Sequence, residues 1–211
     1  MTAMAEPEST VFVVDDDDAV RNSMRWLVES VGLPVETYAS AREFLETHDP
    51  NRPGCLVLDV RMPGMSGLDL QEKLHEKGIV IPIIVVTGHG DVPTAVRAIK
   101  AGAVEFIEKP VNDQLLLDTI QRCIEKDTEY RQELATRSVI AARYMSLTPR
   151  EREVMARVVA GEPNKVIARN LDLSAKTIEA HRAAVMRKME ADSLANLVHM
   201  AITCEDPQEQ G

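Results

Sequence analysis

Short, wholly apolar runs recur along the first half of the chain: VFVV at 11–14, CLVL at 55–58 and IIVV at 83–86, with weaker members VETY at 35–38 and VEFIE at 104–108. Runs without polar alternation suit strands covered on both faces. Amphipathic stretches separate them. One runs from near Ala19 to just before Gly32, and another opens with SARE at 40–43, where Ser40 and Glu43 make a capping-box pattern. A third begins around Leu68 and ends before Gly78, a fourth runs from Pro93 to Ala101 with Gly102 as its stop, and a fifth starts after Asn112 or Asp113. Parallel strands need crossover connections, so five such units predict an α/β fold with a doubly wound, five-stranded parallel sheet.

The pattern then changes. Residues 112–145 contain neither Gly nor Pro, which predicts one long helix running on into a helical linker. Leu116, Ile120, Cys123 and Ile124 at helical spacing pack its first half on the sheet; after Lys126 the apolar positions thin out. From residue 146 the signals are purely helical. Thr148, Pro149 and Glu151 open a helix that reaches about Ala160, before Gly161. EPNKVIARNL (162–171) holds a short helix, and Asp172, Leu173 and Ser174 make a turn. AKTIEAHRAAVMRKME (175–190) and LANLVHMAI (194–202) complete a small four-helix domain. The expected boundaries are 8–125 for the α/β domain, 126–145 for the linker, 146–204 for the helical domain and 205–211 for a disordered acidic tail.

Charge sharpens this division. The chain carries a net charge of −10, but residues 1–145 have a balance of −9 and residues 146–204 one of +2. An acidic front and a basic back predict different partners for the two domains. No apolar stretch reaches the length of a membrane span, and the N-terminus has no signal-peptide pattern. Three scattered cysteines (Cys55, Cys123, Cys204) suit a reducing cytoplasm.

Ligands of doubly wound sheets bind beyond the carboxyl ends of the strands. There the chain places Asp15 and Asp16 after the first strand, Asp59 after the third, Thr87 after the fourth and Lys109 after the fifth. Crowded carboxylates repel one another, and a hard divalent cation such as Mg²⁺ relieves the repulsion. Thr87 and Lys109 then suit a phosphoryl group, and Asp59 becomes the nucleophile that accepts it. Taken singly, each residue has a plainer reading: Asp18 as part of a helix cap, Asp17 as either cap or ligand, Lys109 as a surface lysine. Their common position at strand ends favours the shared site.

The motifs VVDD (13–16), LDVRMPGMSG (58–67), VTG (86–88) and GAVEFIEKP (102–110) resemble the receiver domain of two-component response regulators. The resemblance implies phosphorylation of Asp59 by a histidine kinase. It also implies Mg²⁺ held by Asp16, Asp59 and the backbone carbonyl of Arg61, with Asp15 acting through water. Thr87 and Phe106 would be the switch pair, with Val92, Val96, Ile99 and Val104 near a partner surface. His89 falls where such proteins often tune the lifetime of the phosphoryl group.

In the helix 175–190, Ile178, Val185 and Met189 lie along one side, and small residues with basic ends occupy the other. A narrow helix with a basic rim, joined to another by a tight turn, suits the DNA major groove. LTPREREVM, NKVIARNLDLS and KTIEAHRAAVMRKM resemble the LuxR-type helix-turn-helix, and the two halves together resemble the NarL/FixJ class, FixJ-type. The resemblance assigns base contacts to Glu179, Ala180, Arg182 and Ala183. It assigns phosphate or flanking contacts to Lys165, Arg169, Lys176, Thr177, Arg187 and Lys188. It further implies a homodimer on phosphorylation, double-stranded promoter DNA and RNA polymerase as partners, and transcriptional activation as the outcome.

Two enzyme readings are weaker. An aspartyl phosphatase would want an acid two positions after Asp59, where Arg61 stands, and no G-x-G-x-x-G follows the first strand. The expectation is a regulatory protein that accepts and slowly loses a phosphoryl group. A protein-interaction module that never touches DNA is the remaining alternative.

Overall fold

A computed structural model describes residues 9–88 and 91–205. The chain divides into two compact units, residues 1–131 and 132–211. The first alternates strands and helices: β1 (Thr10–Val14), α1 (Asp18–Ser30), β2 (Val35–Tyr38), α2 (Ala41–Thr47), β3 (Gly54–Asp59), α3 (Gly67–Glu76), β4 (Ile83–Thr87), α4 (Val92–Lys100) and β5 (Glu105–Glu108). The helix α5 (Asp113–Met145) follows. All strand pairs are parallel and the order is β2-β1-β3-β4-β5. The strand order reverses direction between β1 and β3, and a sheet of this kind opens its ligand crevice at that point.

The unbroken apolar strands follow from two covering layers. Phe12, Val14, Leu56, Leu58 and Val85 point to one side, onto Phe44, Leu70 and Leu74. Val11, Val13, Val57, Ile84 and Val86 point to the other, onto Met24, Val28, Leu116, Ile120 and Cys123. Each strand thus divides its residues between two cores, and neither face needs polar positions. Val104, half-buried, packs against the second layer, and Val92, Val96 and Ile99 of α4 are exposed.

One local cap settles an open choice and another differs from expectation. Asp17, not Asp18, is the N-cap of α1 and accepts from the Ala19 and Val20 N–H groups; Asp18 sits in the first turn and pairs with Arg21. Ser40 caps α2, but Glu43 reaches back to the Ala39 N–H and not to that of Ser40. A full capping box occurs instead at Ser66 and Asp69, at the start of α3.

The second unit contains the end of α5 and four further helices: α6 (Pro149–Val159), α7 (Asn164–Asn170), α8 (Ala175–Met189) and α9 (Leu194–Glu205). The Thr148–Glu151 capping box forms as the sequence predicts. Ile140, Leu147, Val154, Ile167, Ile178, Val185, Met189 and Leu197 make its core. No helix among the described residues is long and apolar enough to cross a membrane. His89 and residues 206–211 of the expected tail lie outside the described residues.

Candidate phosphoacceptor site and DNA-binding helix

Asp59 is the last residue of β3 and only 6% exposed. Its Oδ1 accepts from Lys109 Nζ at 2.8 Å, and its Oδ2 accepts from the Arg61 N–H at 2.6 Å. Asp15, directly after β1, is equally buried; its Oδ2 accepts from the same Nζ at 2.7 Å and its Oδ1 from the Asp17 N–H at 2.9 Å. The Lys109 N–H donates to the Thr87 carbonyl at 2.8 Å, and Thr87 itself is buried at the end of β4. The strand ends therefore bring Asp15, Asp59, Thr87 and Lys109 together as the sequence predicts. Phe106 is half-buried on β5, opposite Val85, against the core layer of α2 to α4.

Burial pushes the Asp59 carboxyl above its usual range and Asp15 adds to the effect, while Lys109 and the Arg61 N–H pull it down. Burial alone would lower the Lys109 ammonium, but its bonds to Asp15 and Asp59 outweigh this and raise it. Two buried carboxylates share one ammonium, so the site remains short of positive charge.

The expected three-carboxylate cluster is only partly formed. Asp16 is exposed, and among the described residues no three His, Cys, Asp or Glu side chains stand together as metal ligands. It is Asp15 that shares a cation with Asp59, because the chain turns at Asp15 and Asp17 caps the following helix. The donors that do meet are hard oxygens in a negative pocket. Mg²⁺ commonly binds through one or two carboxylates and keeps several waters, so the buried Asp15 and Asp59 suit such an ion.

Two supports were not legible as site residues. Arg21 Nη1 donates to the Asp15 carbonyl at 2.6 Å and fixes the acidic turn; its position one turn into α1 is the only sequence signal. Gly67 opens α3 so close to β3 that an added Cβ would stand 2.1 Å from the Asp59 carbonyl oxygen. Only glycine lets this helix pack there without moving the phosphoacceptor strand.

In the second unit Ser174 caps α8 by accepting from the Thr177 N–H at 3.0 Å, and Ile178, Val185 and Met189 face the core. Lys176, Glu179, Ala180, Ala183 and Arg187 are exposed along α8, and Lys165 and Arg169 are exposed on α7. Three other predicted contacts are otherwise engaged. The Thr177 hydroxyl bonds with that of Ser174. Lys188 Nζ bonds Glu151 Oε2 at 2.6 Å and the Ser146 carbonyl at 3.3 Å. Arg182 is half-buried and donates to Asn164 Oδ1 at 2.7 Å. Spacing explains the last: position 182 is one turn from both Ile178 and Val185, so it leans toward the core side.

This fold and site define a phosphoacceptor domain of the response-regulator type joined to a helical DNA-binding domain. Residues 11–121 match the response regulator receiver domain, and residues 145–201 match the luxR family of bacterial regulatory proteins. The chain belongs to the NarL/FixJ-type response regulators, which are transcription regulators and not enzymes. It is 48% identical over 193 residues to the transcriptional regulatory protein FixJ of Rhizobium meliloti, covering 92% of this chain and 95% of that one. It is 46% identical over 199 residues to nodulation protein W of Bradyrhizobium diazoefficiens, covering 94% of this chain and 88% of the relative. The solved structure of the response regulator StyR superposes with a TM-score of 0.86 at 47% identity, covering 92% of this chain and 98% of that one.

Proposed function

We propose that Asp59 accepts a phosphoryl group from the phosphohistidine of a partner histidine kinase, and that this modification controls binding to promoter DNA. The observation that carries the reading is the Lys109 bridge between two buried carboxylates at the crevice of the sheet. An Asp59 oxygen attacks phosphorus, the P–N bond breaks, and the imidazole leaves with its electron pair. Lys109 neutralises the incoming oxygens, and the Thr87 hydroxyl turns to one of them. Asp16, Asp59 and the Arg61 carbonyl, with Asp15 through a water, would hold a Mg²⁺ ion, which would supply charge neutralisation at the acyl phosphate. Phe106, half-buried on β5, would follow Thr87 inward.

Phosphorylation adds charge at one point and biases a two-state element. The exposed Val92, Val96 and Ile99 of α4 support homodimerisation through this face in the phosphorylated state. The exposed face of α8 supports major-groove entry, with Glu179, Ala180 and Ala183 at base edges and Lys176, Arg187, Lys165 and Arg169 at phosphates. Activation through RNA polymerase, in the cytoplasm, completes the reading. Its test is a DNA-shift assay with and without acetyl phosphate. Asp59→Asn should abolish the phosphodonor response, and an undiminished response in that variant refutes the proposal.

A further inference from the structure

Arg182 lies on the helix that would read DNA, yet it does not share that helix's exposed face. Its stem lines a narrow apolar groove with Val154, Met155 and Val158 of α6 and Leu197 of α9. Long cationic side chains lie along apolar surface in this way and keep their head groups at polar positions. The head group here meets Asn164, the first residue of α7, at 2.7 Å. Among the described residues Arg182 forms no ion pair with a carboxylate, so the neutral amide of Asn164 is its polar anchor.

The bond spans the helix-turn-helix. It joins the start of α7 to the middle of α8, while the Leu171–Ser174 turn joins their other ends. That turn places Asp172 in the left-handed region, at φ 53°, a conformation aspartate tolerates better than most residues. Ile167 and Ala168 of α7 share an apolar core with Ile178 and Val185 of α8, and the Asn164–Arg182 bond adds a directional polar tie at the start of α7.

We propose that Asn164 and Arg182 are a positioning pair: their bond sets the attitude of α8 against α7, so sequence preference depends on it although neither residue reads a base. This inference rests on the reading that α8 enters the major groove. It predicts that Glu179, Ala180 and Ala183 lose their aim together when the bond is cut.

The test uses the full-length chain treated with acetyl phosphate and Mg²⁺, selected against a random-sequence duplex library. Wild-type protein should yield a consensus; absence of one refutes DNA reading by α8 and this inference with it. Against that consensus, Asn164→Ala and Arg182→Met should each weaken binding about three- to tenfold, the range expected for a coupled contact pair. The double variant should be no weaker than the poorer single variant. Asn164→Ala should bind a scrambled duplex with unchanged affinity and keep the same consensus, with its discrimination weakened evenly across the positions. Asn164→Asp and Arg182→Lys retain an acceptor and a donor, and should recover most of the binding with an unchanged melting temperature. Multiplying losses in the double variant overturn the proposal. So does a changed preference at one base pair with Arg182→Met while Asn164→Ala binds normally, since Arg182 would then be a reader.

Discussion

One ammonium serves two buried carboxylates: Lys109 Nζ stands 2.7 Å from Asp15 Oδ2 and 2.8 Å from Asp59 Oδ1. The pairing explains how a strand can end on a charge inside a core. It also makes the site sensitive to any change in its count of positive charges.

Lys109→Met leaves both carboxylates unpaired and should lower stability at pH 7 by about 1–3 kcal/mol, the penalty of stranding buried charged acceptors. The sign of the pH dependence follows from Asp59. Its carboxyl is already raised in the folded chain, chiefly by burial, and loses the lowering influence of Lys109 in the variant. A raised acid destabilises the fold above its folded pKa, and this relents as the pH falls through that value. Urea titrations should show the deficit of Lys109→Met shrinking as the pH is lowered from neutral.

Mg²⁺ should stabilise the wild-type chain by about 2.7 kcal/mol at a hundredfold excess over its Kd. Asp59→Asn should be neutral or slightly more stable without the ion, because it removes a buried carboxylate whose protonation burial favours, and it should lose most of the gain from Mg²⁺. Thermal melts with Mg²⁺ and with EDTA measure both effects.

A second buried acid holds α5 to the sheet. Asp127 is 2% exposed and accepts at Oδ2 from the Gly54 N–H and Arg131 Nε, both at 2.8 Å. Arg131 also donates to the carbonyls of Pro50, Asn51 and Arg52. Beyond it, residues 132–139 are exposed on every side, so nothing buried supports the helix there. Arg131→Ala should free three carbonyls, destabilise the first unit by about 1–3 kcal/mol and speed amide exchange from Asp127 through Val139.

Glu151 carries both the Thr148 capping box and the bond from Lys188. The Lys188 hydrogen bond, followed by that of the Thr148 N–H, holds its carboxyl down at about 2. A depressed folded pKa contributes stability that is complete above the ordinary glutamate value of about 4.3 and lost as the pH falls toward 2. Carboxyl-detected NMR should find Glu151 titrating near 2, and Lys188→Met should raise it toward the ordinary value.

Much of this was legible because strand ends are few. VFVV, CLVL and IIVV declare buried parallel strands, and whatever follows them must line the crevice; Asp15, Asp59, Thr87 and Lys109 needed no more than that. The same reasoning could not rank Asp15 against Asp16, since a turn at the strand end decides which carboxylate goes inward. Periodicity set Ile178, Val185 and Met189 in the core of the second unit. Arg182 and Lys188 have the composition of DNA-contacting residues but are bound to Asn164 and Glu151, partners 18 and 37 positions away. Arg131 is hidden for the same reason: its three carbonyl acceptors lie some 80 residues back, and a solvated helical arginine looks no different in sequence.

The central claim is that Asp59 takes up phosphorus, and trapping tests it most directly. The full-length chain is incubated with acetyl phosphate and Mg²⁺, reduced with borohydride and mapped by peptide mass spectrometry. The account predicts reduction at Asp59 alone, lost when EDTA replaces Mg²⁺ and absent from Asp59→Asn. Trapping at another carboxylate, or none in wild-type protein under these conditions, would contradict it.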